Sequence, residues 1–197
     1  MRIGIYGGTF DPIHFGHLIL SEWIRESLGL EKIIFIPAFI PPHKTEKTIT
    51  PPSDRKRMLL MAIENNPCFR MSDYELEKQG VSFSIDTITY YRERYGLDKS
   101  DLYFLIGSDS LHDFHTWHQP EKILSLCEVV VYHRPGYDVD AVDPKWKNSV
   151  HIYNNPRIEI SSTVIRDRVA LGLSIKYMLP SSVEKYIRDH SLYQKIP

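Results

Sequence analysis

The sequence predicts an α/β fold: a doubly wound parallel sheet of about six strands, with helices on both faces and a helical cap at the C-terminal end. Two observations predict it. Short apolar runs rich in Ile, Val and Phe recur along the 197 residues, as is typical of strands buried on both faces. Stretches with apolar residues at three- and four-residue intervals separate these runs, as expected for crossover helices. The architecture is Rossmann-like, and such sheets bind ligands at the carboxyl ends of their strands.

The predicted elements alternate along the chain. The strands cover residues 2–6, 32–36, 69–72, 102–106, 129–132 and 151–153. Helical periodicity covers residues 18–28, 53–65, 84–95 and 121–125. Because each strand is followed by a helix, we expect parallel strands joined by crossovers.

The last part of the chain has a different pattern. After residue 153 no strong strand pattern remains, whereas residues 162–171 and 180–190 have helical patterns. We expect one domain over residues 1–197, with a Rossmann-like core at 1–153 and a helical subdomain at 154–197. The main irregular stretch, residues 37–52, contains five prolines. It is predicted to be an active-site loop, with an ordinary surface loop as the alternative.

Composition excludes several classes of function. The chain has 24 Lys and Arg, 25 Asp and Glu, and a formal net charge of -1, so no global field attracts nucleic acids or membranes. The two cysteines, Cys68 and Cys127, form no CxxC pattern, which argues against a disulfide framework and favours a reducing cytoplasm. The first residues lack the long apolar stretch of a secretory leader and no run of about 18 apolar residues occurs, so we expect neither export nor membrane spanning. We therefore expect a cytoplasmic protein that holds any anion with local groups.

The first motif follows the first predicted strand. Residues 7–17 read GGTFDPIHFGH and lead into a helical pattern. Gly7 and Gly8 are predicted to adopt torsions closed to other residues and to let a phosphate approach the main chain. Gly16 lies at the predicted helix start, where amide groups and the helix dipole favour an anion. The GxGxxG fingerprint and the P-loop pattern are both absent, so the motif predicts a different kind of phosphate site.

Two histidines give this motif its chemistry. His14 and His17 are three residues apart, so on a helical turn they face the same side. Imidazoles donate hydrogen bonds to phosphoryl oxygens and, when protonated, neutralise charge that develops in a transition state. The alternative is that both are ordinary surface or core histidines.

The motif resembles that of the HxGH nucleotidyltransferase superfamily, and its GGTFDPIHxGH form is similar to that of the bacterial nicotinate mononucleotide adenylyltransferases. Residues 160–166, ISSTVIR, resemble the second motif of this family, and Gly107-Ser108-Asp109 resembles its G-x-D element. The resemblance covers the chain from Gly7 to Arg166. It implies transfer of the adenylyl group of ATP to nicotinate mononucleotide, with release of pyrophosphate and with Mg²⁺ carried by the substrate.

The resemblance also implies roles for particular residues. His14, His17 and Arg166 are the predicted catalytic residues. The predicted ATP contacts are Gly7, Gly8, Thr9, Phe10, Gly16, Gly107, Asp109, Ser161, Ser162 and Thr163. The predicted contacts of nicotinate mononucleotide are Lys44, Ser84, Thr87, Trp117 and Arg134.

Physical chemistry is compatible with these roles. The hydroxyls of residues 161–163 can cap a helix or donate to phosphate, and Arg166 supplies a planar, permanently charged fork for ATP phosphates. Asp109 can accept hydrogen bonds from ribose hydroxyls, and Trp117 presents a face that can stack on a pyridine ring. The alternatives are a helix cap with a solvated arginine, and a buried tryptophan.

Other functions stay open at this point. Phosphopantetheine adenylyltransferase has the same HxGH chemistry with another acceptor, and a non-catalytic domain that senses adenine nucleotides is an alternative of another class. A tRNA synthetase core is disfavoured because the chain is short and has no strongly basic region. His112, His115 and His118 are evenly spaced, but no acidic or cysteine partner completes a ligand pattern, so we expect no protein metal site. The oligomeric state is open, with a homodimer as one alternative.

Overall fold

A computed structural model describes residues 1–41, 49–134 and 136–194. The six strands are β1 (Ile3–Gly8), β2 (Lys32–Pro37), β3 (Phe69–Met71), β4 (Leu102–Gly107), β5 (Glu128–Tyr132) and β6 (His151–Tyr153). They form one parallel sheet in the order β3-β2-β1-β4-β5-β6. The strand order reverses between β1 and β4, so the crevice expected of a doubly wound sheet lies at their carboxyl ends. The predicted fold class is confirmed.

The helices of the described chain are α1 (Phe15–Ser27), α2 (Pro52–Ile63), α3 (Tyr74–Lys78), α4 (Ser84–Tyr95), α5 (Ser108–His112), α6 (Pro120–Leu126), α7 (Pro144–Lys147), α8 (Ser162–Ala170) and α9 (Ser181–Asp189). The six predicted helices are present, with ends shifted by up to three residues. The short helices α3, α5 and α7 were not predicted, because four or five residues are too few to establish a helical period.

Two apolar clusters cover the two faces of the sheet. One joins α1, α2, α8 and α9 to alternate strand residues such as Phe35 and Val130. The other joins α4, α5 and α6 to the intervening strand residues such as Ile34 and Val131. Successive side chains of a strand point to opposite faces of the sheet, and both faces are covered here. Each strand is therefore a continuous apolar run in the sequence.

The C-terminal helices pack on the first of these clusters. Val183 and Ile187 of α9 are buried there, and the Tyr186 hydroxyl donates to Asp54 Oδ1 of α2 at 2.8 Å. The division into a core at 1–153 and a subdomain at 154–197 stays a prediction. In the described part of the chain, no helix combines the length and the apolar character that crossing a membrane requires.

Candidate active site

A cavity of about 790 Å³ opens at the carboxyl ends of β1, β4 and β5, within the size range of small-molecule pockets. Most of the predicted site residues line it: Gly7, Gly8, Thr9, Phe10, His17, Ser84, Gly107, Asp109, Trp117, Arg134, Ser161, Ser162, Thr163 and Arg166. Lys44 lies outside the described residues. Motifs separated by up to 159 positions therefore meet in one crevice.

The two glycines of the first motif lie inside a strand, which corrects the prediction. Gly7 pairs with Ile36 and Gly8 with Pro37, so β1 continues through both residues. Neither has a positive φ; the left-handed residue of this turn is Phe10, with φ of 48°. The Phe10 ring is buried, and a Cβ at Gly8 would come within 3.0 Å of it. Gly8 is therefore required for packing of the turn, and its conformational freedom is not used.

The two histidines lie together, as the spacing predicts. Their rings are stacked, with centroids 3.7 Å apart. The backbone N–H of His14 donates to His17 Nδ1 at 3.3 Å, which favours the His17 tautomer with its proton on Nε2. His17 lines the cavity, and its ring also contacts the edge of Phe10.

His14 differs from the prediction in its charge. Its side chain is 2% exposed, and neither ring nitrogen has a hydrogen-bond partner among the described residues. Burial, with a smaller contribution from the Arg134 charge, lowers the pKa of His14 to about 3. Near neutral pH His14 is therefore an uncharged imidazole, so the protonated form that the sequence suggested for the two histidines does not apply to His14. Buried polar atoms without partners are costly and occur preferentially at functional sites.

Gly16 also has a role that was not predicted. A Cβ at this position would come within 3.0 Å of the His14 ring and 3.3 Å of the carbonyl oxygen of Ile160. Gly16 is buried at the start of α1. It makes room for the His14 ring and for the second motif, and its predicted contact with phosphate stays a prediction.

The second motif docks on the first. Arg166 Nη1 donates to the carbonyl oxygen of Asp11 at 2.6 Å, and the Ser162 hydroxyl donates to the carbonyl of Pro12 at 2.9 Å. Ser161 caps α8 by accepting from the N–H of Val164 at 3.2 Å. Ser161 therefore caps α8, as one alternative expected, and Arg166 of the same motif is also oriented by a hydrogen bond.

Asp109 and Arg134 form an ion pair, although the prediction placed them at different ligands. Arg134 Nη1 lies 2.5 Å from Asp109 Oδ2, while Asp109 Oδ1 is buried with no partner among the described residues. A Cβ at Gly107 would come within 2.8 Å of the Arg134 side chain. Gly107 therefore permits the arginine to cross the end of β4.

The other end of the cavity holds the predicted acceptor contacts. Ser84 begins α4 at the cavity wall. Trp117 is half-buried against Phe104 and Phe114, with ring centroids 6.2 and 5.3 Å away. Thr87 contradicts the prediction: it is 1% exposed, and its hydroxyl donates to Glu75 Oε1 at 2.6 Å. As described, Thr87 therefore offers no exposed surface for the predicted direct contact with an acceptor.

Several residues near the site were missed by the sequence reasoning. Asp11 lines the cavity, accepting from the Tyr193 hydroxyl at 2.7 Å and the Thr50 N–H at 3.3 Å. Arg55 is fully buried and donates to the carbonyls of residues 9, 38 and 50 at 2.7 to 2.9 Å. Asp11 belongs to the first motif, so its position in the sequence could have predicted it as a site residue. Arg55 lies in the helical pattern of α2, where nothing in the sequence distinguishes it from a surface arginine.

The cavity floor was also not predicted. The hydroxyls of Tyr6 and Tyr132 are hydrogen-bonded at 2.8 Å, and burial raises the pKa of both. They present neutral hydroxyls beneath the site.

Metal ligands are scarce in the described chain. No group of three or more His, Cys, Asp or Glu side chains within residues 1–41, 49–134 and 136–194 is arranged to hold a metal ion. The three evenly spaced histidines make local contacts: His112 with the Asp138 carbonyl at 2.8 Å and His115 with the His112 carbonyl at 3.2 Å, while His118 lies against Phe83.

The fold and the site define a nucleotidyltransferase, in which a doubly wound sheet places paired histidines, an arginine fork and a hydroxyl-rich helix start around one cavity. The sequence profile of the cytidylyltransferase-like family matches residues 5–168. A protein of Thermoanaerobacter sp. strain X514, named "Probable nicotinate-nucleotide adenylyltransferase", is 41% identical over 99% of this chain and 95% of its own length. A protein of the same name from Thermomicrobium roseum is 42% identical over 99% and 92%. The chain belongs to the cytidylyltransferase-like family and, within it, to the nicotinate-nucleotide adenylyltransferases.

Solved structures support the fold. Plasmodium falciparum nicotinic acid mononucleotide adenylyltransferase complexed with NaAD aligns with a TM-score of 0.80 at 22% identity, covering 98% of this chain and 97% of that one. The same enzyme complexed with APC aligns with a TM-score of 0.78 at 20% identity, covering 98% and 96%.

Proposed function

We propose that the cavity transfers the adenylyl group of ATP to nicotinate mononucleotide, giving nicotinate adenine dinucleotide and pyrophosphate for NAD biosynthesis. The observation that carries the proposal is that His17 and Arg166 line the same cavity as Ser84 and Trp117. A phosphate-binding end and an aromatic end are thereby available to two substrates at once. The names of the relatives at about 40% identity support nicotinate over phosphopantetheine as the acceptor's class.

ATP is assigned to the end formed by the two motifs. The main chain of Gly8 and Thr9 and the hydroxyls of Ser162 and Thr163 line the cavity there and suit phosphate oxygens. Asp109 Oδ1, which has no partner among the described residues, is assigned to the ribose hydroxyls as an acceptor.

The acceptor is assigned to the end formed by α4 and the chain after β4. Trp117 offers its ring to the pyridine by stacking. Ser84 and the amides of the first turn of α4 suit the nicotinate carboxylate, because helix N-termini favour anions. Arg134 and Lys44 are assigned to the acceptor phosphate.

The chemistry needs positioning and charge neutralisation. The acceptor phosphate is already an anionic nucleophile, so one of its oxygens attacks the α-phosphorus in line while the bond to the β-phosphate oxygen breaks. No general base is required. His17 and Arg166 stabilise the negative charge that collects on the leaving pyrophosphate. His14 contributes as a neutral hydrogen-bond donor, since the cost of desolvation lowers its pKa to about 3.

The residues present fit a magnesium ion carried by the nucleotide. Asp109 is committed to Arg134 through one oxygen, and the described chain offers no cluster of ligating side chains. Mg²⁺ commonly binds through substrate phosphates with one or two carboxylates. When bound, it neutralises charge on the phosphate oxygens.

The working environment is proposed to be the cytoplasm. Cys68 and Cys127 are both free thiols, and burial raises the pKa of Cys127 to about 12, so this thiol is unreactive. We propose no nucleic-acid partner, because the net charge of -1 provides no basic field. Self-association into a homodimer stays a prediction.

A pyrophosphate-release assay tests the function. The purified chain is mixed with ATP, Mg²⁺ and one acceptor at a time: nicotinate mononucleotide, nicotinamide mononucleotide or phosphopantetheine. We expect the highest kcat/KM with nicotinate mononucleotide and one pyrophosphate per dinucleotide formed. Turnover with phosphopantetheine alone contradicts the acceptor, and absence of turnover with all three contradicts the enzymatic assignment.

A further inference from the structure

Glu75 is a buried carboxyl group at the acceptor end of the cavity. It belongs to the short helix α3, is 7% exposed and lines the cavity together with Ser82 and Ser84. None of the ion pairs found among the described residues includes Glu75. A buried carboxyl without a cation is costly unless hydroxyl or amide donors satisfy it.

Two hydroxyl groups satisfy Glu75. The Thr87 hydroxyl donates to Glu75 Oε1 at 2.6 Å, and the Ser82 hydroxyl, beside it at the cavity wall, favours the charged carboxylate. Burial raises the pKa of Glu75, while the two hydroxyls lower it. The Glu75 carboxyl thus interacts with Ser82, which precedes α4, and with Thr87, which lies in the first turn of α4.

Ser82 connects this cluster to the sheet. Its Oγ accepts from the backbone N–H of Phe39 at 3.0 Å, and its own N–H donates to the carbonyl of Ile40 at 3.0 Å. Phe39 and Ile40 lie two and three residues after the end of β2. The segment before α4 is therefore fixed to the end of the sheet on one side and to Glu75 on the other.

No side chain of the N-cap residue caps the start of α4. Phe83, which precedes the helix, has no side-chain oxygen, and Ser84 follows as the first helical residue at the cavity wall. Ser82 and Thr87, the two residues whose hydroxyls act on Glu75, flank this turn on its two sides. Displacing it by even 1 Å would misplace every amide that faces an acceptor.

We infer that Glu75 is a positioning residue for acceptor specificity: through Ser82 and Thr87 it holds Ser84 and the first amides of α4 where they recognise the carboxylate of the acceptor. The inference rests on the proposed function, since it assigns a determinant to the acceptor end of the same cavity. It also gives the buried Thr87 a role that does not require contact with substrate.

The test uses kinetic constants of the full chain. Glu75→Ala is expected to raise KM for nicotinate mononucleotide about tenfold, equivalent to about 1.4 kcal/mol, with kcat and KM for ATP within about twofold of wild type. The preference for nicotinate over nicotinamide mononucleotide should fall by a similar factor. Glu75→Gln keeps an acceptor for Thr87 and should recover part of the loss.

Thr87→Val removes one hydroxyl at similar volume and gives a second route to the same result. It should raise KM for nicotinate mononucleotide, and the double variant with Glu75→Ala should be no worse than Glu75→Ala alone, because the two residues act as a unit. Glu77→Ala, at an exposed position of the same helix, is the matched control and should equal wild type.

Three results would overturn the inference. One is a lowered melting temperature of Glu75→Ala with KM values equal to those of Glu77→Ala, which indicates a structural role only. Another is an equal rise of KM for ATP and for the acceptor. If Glu75→Ala does not fold, Thr87→Val decides instead: an unchanged preference of this variant for nicotinate over nicotinamide mononucleotide would also overturn the inference. Failure of the proposed function is distinct, because wild type itself would then release no pyrophosphate with nicotinate mononucleotide.

Discussion

Arg166 Nη1 donates a hydrogen bond of 2.6 Å to the main-chain carbonyl of Asp11, a residue 155 positions earlier in the chain. The side chain of the same Asp11 accepts from the Tyr193 hydroxyl at 2.7 Å. The turn that carries the two histidines is therefore held both by the second motif and by the C-terminal segment. Arg166 has an orientation fixed before substrate arrives, which is the preorganisation that electrostatic stabilisation requires.

Replacing Arg166 by lysine tests this arrangement. Lys retains the charge but cannot donate to the Asp11 carbonyl and to phosphate with one rigid fork. We expect kcat to fall about 10- to 100-fold, as loss of a charged hydrogen bond worth about 1.5–3 kcal/mol implies. Arg168→Lys, on the same helix, is the control and should stay near the wild-type rate. Equal rates for both variants would contradict the catalytic role of Arg166.

Acid stability tests the burial of His14. The folded protein holds the pKa of His14 at about 3, whereas an unfolded chain protonates histidine near pH 6.5. Between these values the unfolded state binds more protons, so stability falls as pH is lowered from about 6.5 towards 3. The melting temperature of His14→Asn should fall less over this window. His115→Asn, at an exposed position, should keep the wild-type slope, and an unchanged slope in His14→Asn would contradict the burial.

The aromatic end of the cavity is tested with Trp117. Because Trp117 is assigned to stack on the acceptor, Trp117→Ala should raise KM for nicotinate mononucleotide on the order of tenfold and leave KM for ATP near its wild-type value. Trp117→Phe keeps an aromatic face and should lie between the two. Equal losses for both substrates, measured by steady-state kinetics, would rule out the stacking assignment.

Arg55 is expected to be essential for stability. Its guanidinium is fully buried, burial lowers its pKa, and it donates to the carbonyls of Thr9, Ala38 and Thr50. Arg55→Met leaves three carbonyl acceptors, one buried and two partly buried, without this donor, so we expect a loss of about 3 kcal/mol in the free energy of unfolding. Arg57→Met, exposed on the same helix, should change it by less than about 0.5 kcal/mol. Similar denaturant midpoints for the two variants would contradict this.

Much of the fold follows from local patterns in the sequence. The six strands were predictable because parallel strands buried on both faces are continuous apolar runs, and both motifs were predictable because they stand at strand ends and helix starts. The details of β1 were not. Its extension through Gly7 and Gly8 depends on pairing with Ile36 and Pro37, which are distant in sequence.

The site was predictable in its members but not in all of its contacts. The pairing of Asp109 with Arg134 and the donation of Thr87 to Glu75 join residues 25 and 12 positions apart. Such contacts depend on which loops the sheet brings together, and no local spacing encodes them. The burial of a side chain also depends on such distant contacts. The spacing of His14 and His17 does not indicate that His14 is buried while His17 lines the cavity.

The most direct test of the account is the rate of pyrophosphate release from ATP and nicotinate mononucleotide by wild type and by His17→Ala, with circular dichroism to verify the fold. As a donor that stabilises charge on the leaving pyrophosphate, His17 should contribute a factor of about 10²–10³ to kcat, while KM for either substrate changes little. A folded His17→Ala variant that turns over at nearly the wild-type rate would contradict the account.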